Sequence, residues 1–299
     1  MTKSRLCLGA LSIALISQTP AFALENGATS YPAGIMTVMS GLLGGPGTYL
    51  YSYNKFDDIT SLRDGNGNKN PPGADGGVQS HALRFVHVFE QPTLFGGNLA
   101  IQAAIPYIDG TLHFPSYGIS GGGRGFGDPM FGVLLGWQSP TFMQNIELDI
   151  VVPTGAYQKD SLFNPGNNVT SGYIAYSFTW FPLRQIEISS KINLNFSSVN
   201  SATNYQSGVQ LTADYGVNYH ITQSWLVGVG GYANTQLNDD KINGTAAFGD
   251  GHRTREVTIG PQVGYGAQKW GGMISWQQHV YARNAAYGNA LWLNAYVKF

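Results

Sequence analysis

The chain has 299 residues, 16 Lys and Arg against 17 Asp and Glu, and 11% charged residues, where a soluble domain carries about 25%. Glycine occupies 40 positions and aromatic residues make up 13%. The near-neutral balance excludes a basic nucleic-acid surface. With no apolar run of about 18 residues after the amino terminus, a bundle of membrane helices is excluded as well.

Lys3 and Arg5, the apolar run from Leu6 to Ile16 and the small-residue sequence SQTPAFA read as a secretory signal at residues 1–23, cleaved after Ala23. The run is shorter than the ~20 residues that a spanning helix needs. The single cysteine, Cys7, lies inside it, so the mature chain has no thiol for a disulfide, a metal or catalysis. Without Lys3 and Arg5 the mature chain keeps 14 basic against 17 acidic side chains, a charge near −3.

Residues 24–45 form the next segment. Ile35, Val38, Met39 and Leu42 follow the i, i+3, i+4, i+7 spacing of one helical face, and Gly44, Gly45 and Pro46 supply its stop. The spacing predicts a helix of about nine residues, too short to be stable alone. Its apolar side therefore needs a surface from the rest of the chain.

From residue 46 onward the period is two. Twelve strands are predicted, over 47–56, 79–89, 98–108, 126–138, 144–152, 169–181, 184–196, 205–220, 224–237, 254–266, 269–282 and 288–299. Short connections (EQPTLFGG, SPTFM, PL, ITQ, AQ) alternate with long ones rich in Gly, Asn, Asp and Pro. Ile146, Leu148, Ile150 and Val152 share one face and Asn145, Glu147 and Asp149 the other; Leu211, Ala213, Tyr215, Val217 and Tyr219 likewise oppose Gln210, Thr212, Asp214 and Asn218. Export, scarce charge and this rhythm predict an all-β fold, a transmembrane antiparallel β-barrel of about 12 strands over 46–299, with residues 24–45 as a short helical plug in its lumen. An exported β-sandwich is the soluble alternative, and a helix on the periplasmic membrane surface is the alternative to the plug. Tyr49, Trp137, Trp180, Trp225 and Trp276 are expected at the interfacial girdles and Gly260-Pro261 at a bulge. In the last strand Leu291, Leu293, Ala295 and Val297 alternate up to Phe299, which resembles the carboxy-terminal signal read by the barrel-assembly machinery.

The charged face must be the lumen, because Lys or Arg in mid-bilayer costs about 2–4 kcal/mol. That face places Glu147, Asp149, Glu187, Lys191, Asp214 and Glu256 inside, either as a polar conduit or as a salt-bridged filling in which Lys191 meets Glu187 and Asp214. Tyr173, Trp292 and Tyr296, with Met130, Leu134 and Met273, form either an apolar-aromatic solute track or plain interior packing. Asp64, Asn66, Asn68 and Asp75 fall at positions 1, 3, 5 and 12 of a calcium-loop pattern, but Lys69 replaces its glycine, so no metal is expected; nor is a cofactor. His220 and His279 lie on predicted strands without a motif pairing a nucleophile, a base and an orienting partner, so no enzyme is expected.

The stretches ENGATSYPAG, GGPGTYL, GRGFGDP, PTGAYQKDSLFNPGNN, NYQSGVQLTADYGVNYH, WLVGVGGYANTQLNDD and GPQVGY, in that order, resemble the outer-membrane protein family of the MetA pathway of phenol degradation. The resemblance implies a transporter-like barrel in the outer membrane of a Gram-negative bacterium, through which small hydrophobic or aromatic compounds diffuse. The alternatives are a structural or adhesive barrel without transport and, behind it, an outer-membrane hydrolase. The expected partners are outer-membrane lipid and lipopolysaccharide, the assembly machinery through Phe299, and hydrophobic solutes, with no nucleic acid; the barrel is expected to be a monomer.

Overall fold

The structure is a computed structural model that describes residues 29–299. The expected signal at 1–23 and the start of the following segment lie outside the described residues.

Sixteen strands follow in chain order: β1 Gly47–Arg63, β2 Asp75–Leu94, β3 Gly97–Phe114, β4 Ile119–Phe126, β5 Met130–Gln138, β6 Phe142–Val151, β7 Ser171–Leu183, β8 Ile186–Ser197, β9 Tyr205–Gln206, β10 Gln210–His220, β11 Trp225–Gln236, β12 Lys241–Ile242, β13 Thr245–Ala246, β14 Arg255–Gly266, β15 Trp270–Arg283 and β16 Ala285–Lys298. Twelve of them form a closed antiparallel barrel, and β1 pairs with β16 from Tyr49↔Lys298 to Arg63↔Ala285 to complete it. The other four, β4, β9, β12 and β13, belong to the outer connections. Closure leaves no sheet edge in the wall, the condition for backbone polar groups to survive in hydrocarbon.

The period of two decides which side chains meet lipid. On β6, Ile146, Leu148 and Ile150 are 42%, 49% and 50% exposed, whereas Asn145, Glu147 and Asp149 are 3%, 3% and 8% exposed. A sheet with its apolar residues outside and its charges inside is an inverted globule, stable only in a membrane. The protein is an outer-membrane barrel. Trp180, Trp225, Trp270 and Trp276 are all outward and exposed.

Four expectations change. The wall is taller than predicted on one side, because β1, β2 and β3 continue through residues read as loops. Their extensions gain a core of their own: Ala74, Leu112, Phe114 and Phe163 are buried there, with Ile59, Leu62, Val78 and Ile108 packed against them. The segment before β1 contains turns and bends rather than a helix. Gly34, Met39 and Gly44 have φ of 89°, 49° and 81°, which no helix accommodates. Tyr49 points inward and is buried, not interfacial. Between β14 and β15 the register shift falls at Val257/Thr258, and the register runs unchanged past Pro261.

The break between β4 and β5 organises the outer end. Asp128 Oδ1 accepts the Gly155 N–H at 2.8 Å and Oδ2 the Asn167 N–H at 2.7 Å, so one carboxylate ties residues 155–167 to the wall. A Cβ on Gly155 would lie 2.6 Å from the Gly127 carbonyl carbon, which is why that position is glycine. At the tip of the first outer loop, the Asp64 carboxylate accepts the N–H groups of Asn66 and Asn68, both at 2.9 Å. The Asn68 N–H above all holds its carboxyl below the usual range.

Leu148 lies near the middle of the lipid-facing band. Leu148→Lys is expected to destabilise the folded barrel by about 2–4 kcal/mol in urea titrations of protein refolded into vesicles, while Leu148→Phe folds normally. Equal stability of the two variants would mean that β6 has its other face toward lipid.

Candidate functional site

The barrel interior is built from alternate residues of every strand and from the segment between Thr29 and Pro46. That segment is held by inward-facing carboxylates and hydroxyls. Asp214, on β10, accepts the Tyr31 hydroxyl at 2.6 Å and the N–H groups of Gly34 and Met36 at 2.7 and 3.0 Å. Glu187, at the start of β8, accepts the Met39 N–H at 2.7 Å, and Thr179 Oγ1 accepts that of Gly41 at 3.0 Å. Charged acceptors outcompete backbone carbonyls for these donors, which explains why the helical spacing yields no helix. Close approach is part of the fit: a Cβ on Gly216 would sit 1.9 Å from the Thr37 carbonyl oxygen. Of the predicted plug residues, Ile35 is buried and Leu42 is 41% exposed. Val38 and Met39 are half-buried, and Leu43, which the helical spacing omits, is buried beside Tyr49 and Val86 instead.

The predicted lumen residues gather into three groups. At mid-height Lys191 Nζ donates to Glu147 Oε1 at 2.8 Å, and Arg84 Nη2 stands 3.7 Å from Glu147 Oε2. Arg84 Nε donates to Gln102 at 2.6 Å, and Gln102 donates to Asp149 Oδ1 at 2.5 Å. Toward the short-turn end, Glu187 Oε2 faces His220 Nε2 at 2.8 Å. Toward the outer end, Glu256 accepts the Tyr232 hydroxyl at 2.7 Å and faces His279 at 3.4 Å. Lys191 thus pairs with Glu147 rather than with the expected Glu187 or Asp214. Asp214 lies opposite Lys191 in the ladder, but its carboxylate turns to the amino-terminal segment. His220 and His279 bond carboxylates, with Tyr232 and Gly288 also near His279, so neither is joined to a serine among the described contacts.

The aromatic residues form a second system. Tyr49, Tyr51 and Tyr53 stack up β1 at centroid spacings of 6.3 and 5.9 Å, with Tyr296 5.8 Å from Tyr51. Tyr173 packs edge-on to Tyr31, 5.8 Å away. Lys191 Nζ lies 5.1 Å from the Tyr31 ring centroid and Arg84 5.6 Å from that of Tyr51, so both cations are flanked by π faces. Trp292 is 2% exposed in a cluster with Tyr31, Ile35, Tyr53, Val151 and Tyr173, and Met130 packs against it.

Tyr51, Tyr53, Arg84 and Gln102 were not singled out by sequence. For β1 the signal was present, since Lys55 and Asp57 share the phase of the three tyrosines and mark it as inward. On β2 it was inverted: Arg84 shares its inward phase with Val86 and Val88, while His81 and His87 occupy the other face.

Two cavities among the described residues share part of their lining. One, of about 680 Å³, opens at the short-turn end among Tyr49, Tyr296, Lys298 and Gln268; the other, of about 460 Å³, lies at the outer end among Lys55, Phe163, Asn164 and Trp292. Ile35, Met36, Tyr53, Arg84 and Glu147 line both. No group of three or more metal-ligating side chains occurs among the described residues.

Solved structures superpose on this chain to different degrees. The COG4313 outer membrane channel from Pseudomonas putida F1 superposes with a TM-score of 0.78 at 16% identity, over 88% of this chain and 98% of that one. A Pseudomonas aeruginosa FadL homologue gives 0.47 at 10% identity, over 91% and 99%, and the transport unit of the autotransporter AIDA-I from Escherichia coli gives 0.48 at 10%, over 89% and 94%. At 16% identity the likeness to the Pseudomonas putida channel is one of fold. No curated protein matches the chain in sequence. The sequence pattern of the family described as "Putative MetA-pathway of phenol degradation" matches residues 60–295, and with most of the barrel inside that match, the chain belongs to this family.

Proposed function

We propose that the protein is an outer-membrane channel for small, uncharged hydrophobic or aromatic compounds, and that the segment at residues 24–45 is the gate in its conduit. The observation that carries this reading is the pair of cavities that share a wall made of Ile35, Met36, Tyr53, Arg84 and Glu147. Two of those five residues belong to the segment, so its displacement would join the cavities into one path.

The lining argues for the solute class. Most of the central charges are already engaged: Glu147 by Lys191 and Arg84, Asp214 by the segment itself, and Asp149 through its Oδ1 by Gln102. A charged solute passing them would lose hydration without gaining a free counter-ion. Tyr53, Tyr173, Trp292 and Met130 instead offer ring faces and a thioether, which suit a planar apolar solute. The Trp292 indole N–H is buried with no acceptor among the described residues, so it is placed to donate to one oxygen of a hydroxylated ring. The family's link to phenol degradation supports the same class, and the channel fold of the Pseudomonas putida structure supports conduction.

Deletion of Leu24 to Gly45 is expected to leave a folded, heat-modifiable barrel with single-channel conductance well above that of the full chain in planar bilayers. A folded deletion variant with unchanged conductance would overturn the gate, and a barrel silent in both forms would favour a structural or adhesive role.

Trp292 separates ring contact from hydrogen bonding. In titrations of the refolded full chain, Trp292→Phe is expected to weaken phenol about fivefold, the worth of one hydrogen bond of about 1 kcal/mol, and to leave toluene unchanged. Trp292→Ala should weaken both. Equal binding of phenol by the three proteins would exclude Trp292 from the solute path.

A further inference from the structure

Three arginines stand together on the outside of the wall near its outer end. Arg63 closes β1, Arg283 closes β15 and Arg255 opens β14. The strand between β1 and β15 is β16, whose Ala285 lies opposite Arg63, and Arg255 and Arg283 are direct partners in the β14–β15 ladder. All three belong to the outward phase of their strands: the neighbouring Leu62 packs inward, and Ala282 and Glu256 lie in the inward phase with the buried or lumen-bonded residues.

Directly opposed like charges have Cβ atoms only about 5 Å apart and destabilise a sheet. Here no carboxylate relieves them. No ion pair forms to Arg63, Arg255 or Arg283 among the described residues, and three acids close to them in the chain or fold are engaged elsewhere. Asp64 caps its own loop, Asp239 pairs with Arg253 at 2.6 Å, and Glu256 is turned inward to Tyr232. Among the described residues the Arg63 guanidinium bonds only the Gly67 carbonyl, at 3.2 Å, and the Nε atoms of Arg63 and Arg283 are buried with no acceptor. Two of the guanidinium groups rest on tyrosine faces, Arg63 on Tyr287 at 4.4 Å and Arg283 on Tyr281 at 5.6 Å. These contacts orient the groups without neutralising them.

Their height identifies what they would meet. Trp225, Tyr265 and Trp270 form a girdle at the short-turn end, with ring centroids 4.9 and 5.0 Å apart. From Trp270 to Tyr281 along β15, tilted strands climb about 25 Å, the full height of the lipid-facing band. Tyr281 and Tyr287 therefore mark the outer girdle, and the arginines stand at or just above it, at the level of the outer-leaflet headgroups.

We infer that Arg63, Arg255 and Arg283 form a binding site for the phosphate groups of the outer-leaflet glycolipid, with Tyr281 and Tyr287 against its sugar and upper acyl region. Arginine suits the task because its planar fork bonds phosphate in pairs. A bisphosphorylated lipid would place anionic charge between Arg255 and Arg283 and remove the repulsion that the fold leaves there. The site lies on the outside of the wall and is independent of whether the lumen conducts.

The test uses the full chain refolded in detergent and titrated with bisphosphorylated lipid A, its dephosphorylated form, phosphatidylethanolamine and inorganic phosphate, with binding read by native mass spectrometry. Bisphosphorylated lipid A should bind the unaltered protein most tightly. It should bind about a hundredfold more weakly to the triple variant Arg63→Gln, Arg255→Gln, Arg283→Gln, roughly fivefold per arginine, and normally to the charge-matched control Arg124→Gln, Lys159→Gln, Lys241→Gln, which alters three exposed cations elsewhere. Should the triple variant not fold, Arg255→Gln alone carries the test with a fivefold loss. Equal lipid A binding by wild type and the arginine variants, equal binding of the dephosphorylated lipid, or competition by millimolar inorganic phosphate would each overturn the assignment.

Discussion

Everything in this molecule depends on the closure of one hydrogen-bonded sheet through β1 and β16. In hydrocarbon an unpaired N–H or carbonyl has no water to fall back on, and each such group costs several kcal/mol. A twelve-stranded sheet with free edges would expose two rows of them. The pairing from Tyr49↔Lys298 to Arg63↔Ala285 removes both rows at once. Closure also forces the two side-chain faces into different solvents, so lipid takes Ile146, Leu148 and Ile150 and the interior receives Glu147, Asp149, Lys191 and Asp214.

An interior filled with charge then needs partners, and it finds them in two places. Part of the charge is neutralised across the barrel, where Lys191 and Arg84 converge on Glu147 from different strands. The rest is directed at backbone: Asp214 and Glu187 bind N–H groups of Gly34, Met36 and Met39. The same carboxylates that make the lumen polar therefore determine the conformation of the segment inside it. Removing the acceptor of a buried N–H costs about 1–3 kcal/mol, and these bonds act together with the burial of Tyr31, Ile35 and Leu43 in the apolar clusters to hold the segment.

The outer end obeys a different logic. Above the headgroups β1, β2 and β3 meet water on their outer side, and they are stabilised by a separate small core around Phe114 and Phe163 and by the Asp128 carboxylate, which draws the chain after β6 back to the β4–β5 break. Glycines at 155 and 166 permit that approach, since a Cβ on either would lie within 2.8 Å of neighbouring backbone.

By itself, the sequence determined the solvent of each face. A period of two, with charge confined to one phase, settles which side of β6, β8 and β10 meets lipid, and it predicted the barrel, all twelve strands and the inward place of Glu147, Asp149, Glu187, Lys191, Asp214, Tyr173 and Trp292. These properties are local, because a residue's face follows from its neighbours two positions away. Only the tertiary structure decided which inward groups meet. Lys191 reaches Glu147 and not Glu187, and the tyrosines of β1 stack beneath an arginine from β2. The spacing of Ile35, Val38, Met39 and Leu42 encodes a helical preference, yet the segment does not become a helix. A helix of that length is marginal, and carboxylates more than a hundred residues away in the chain offer its N–H groups stronger acceptors than its own carbonyls.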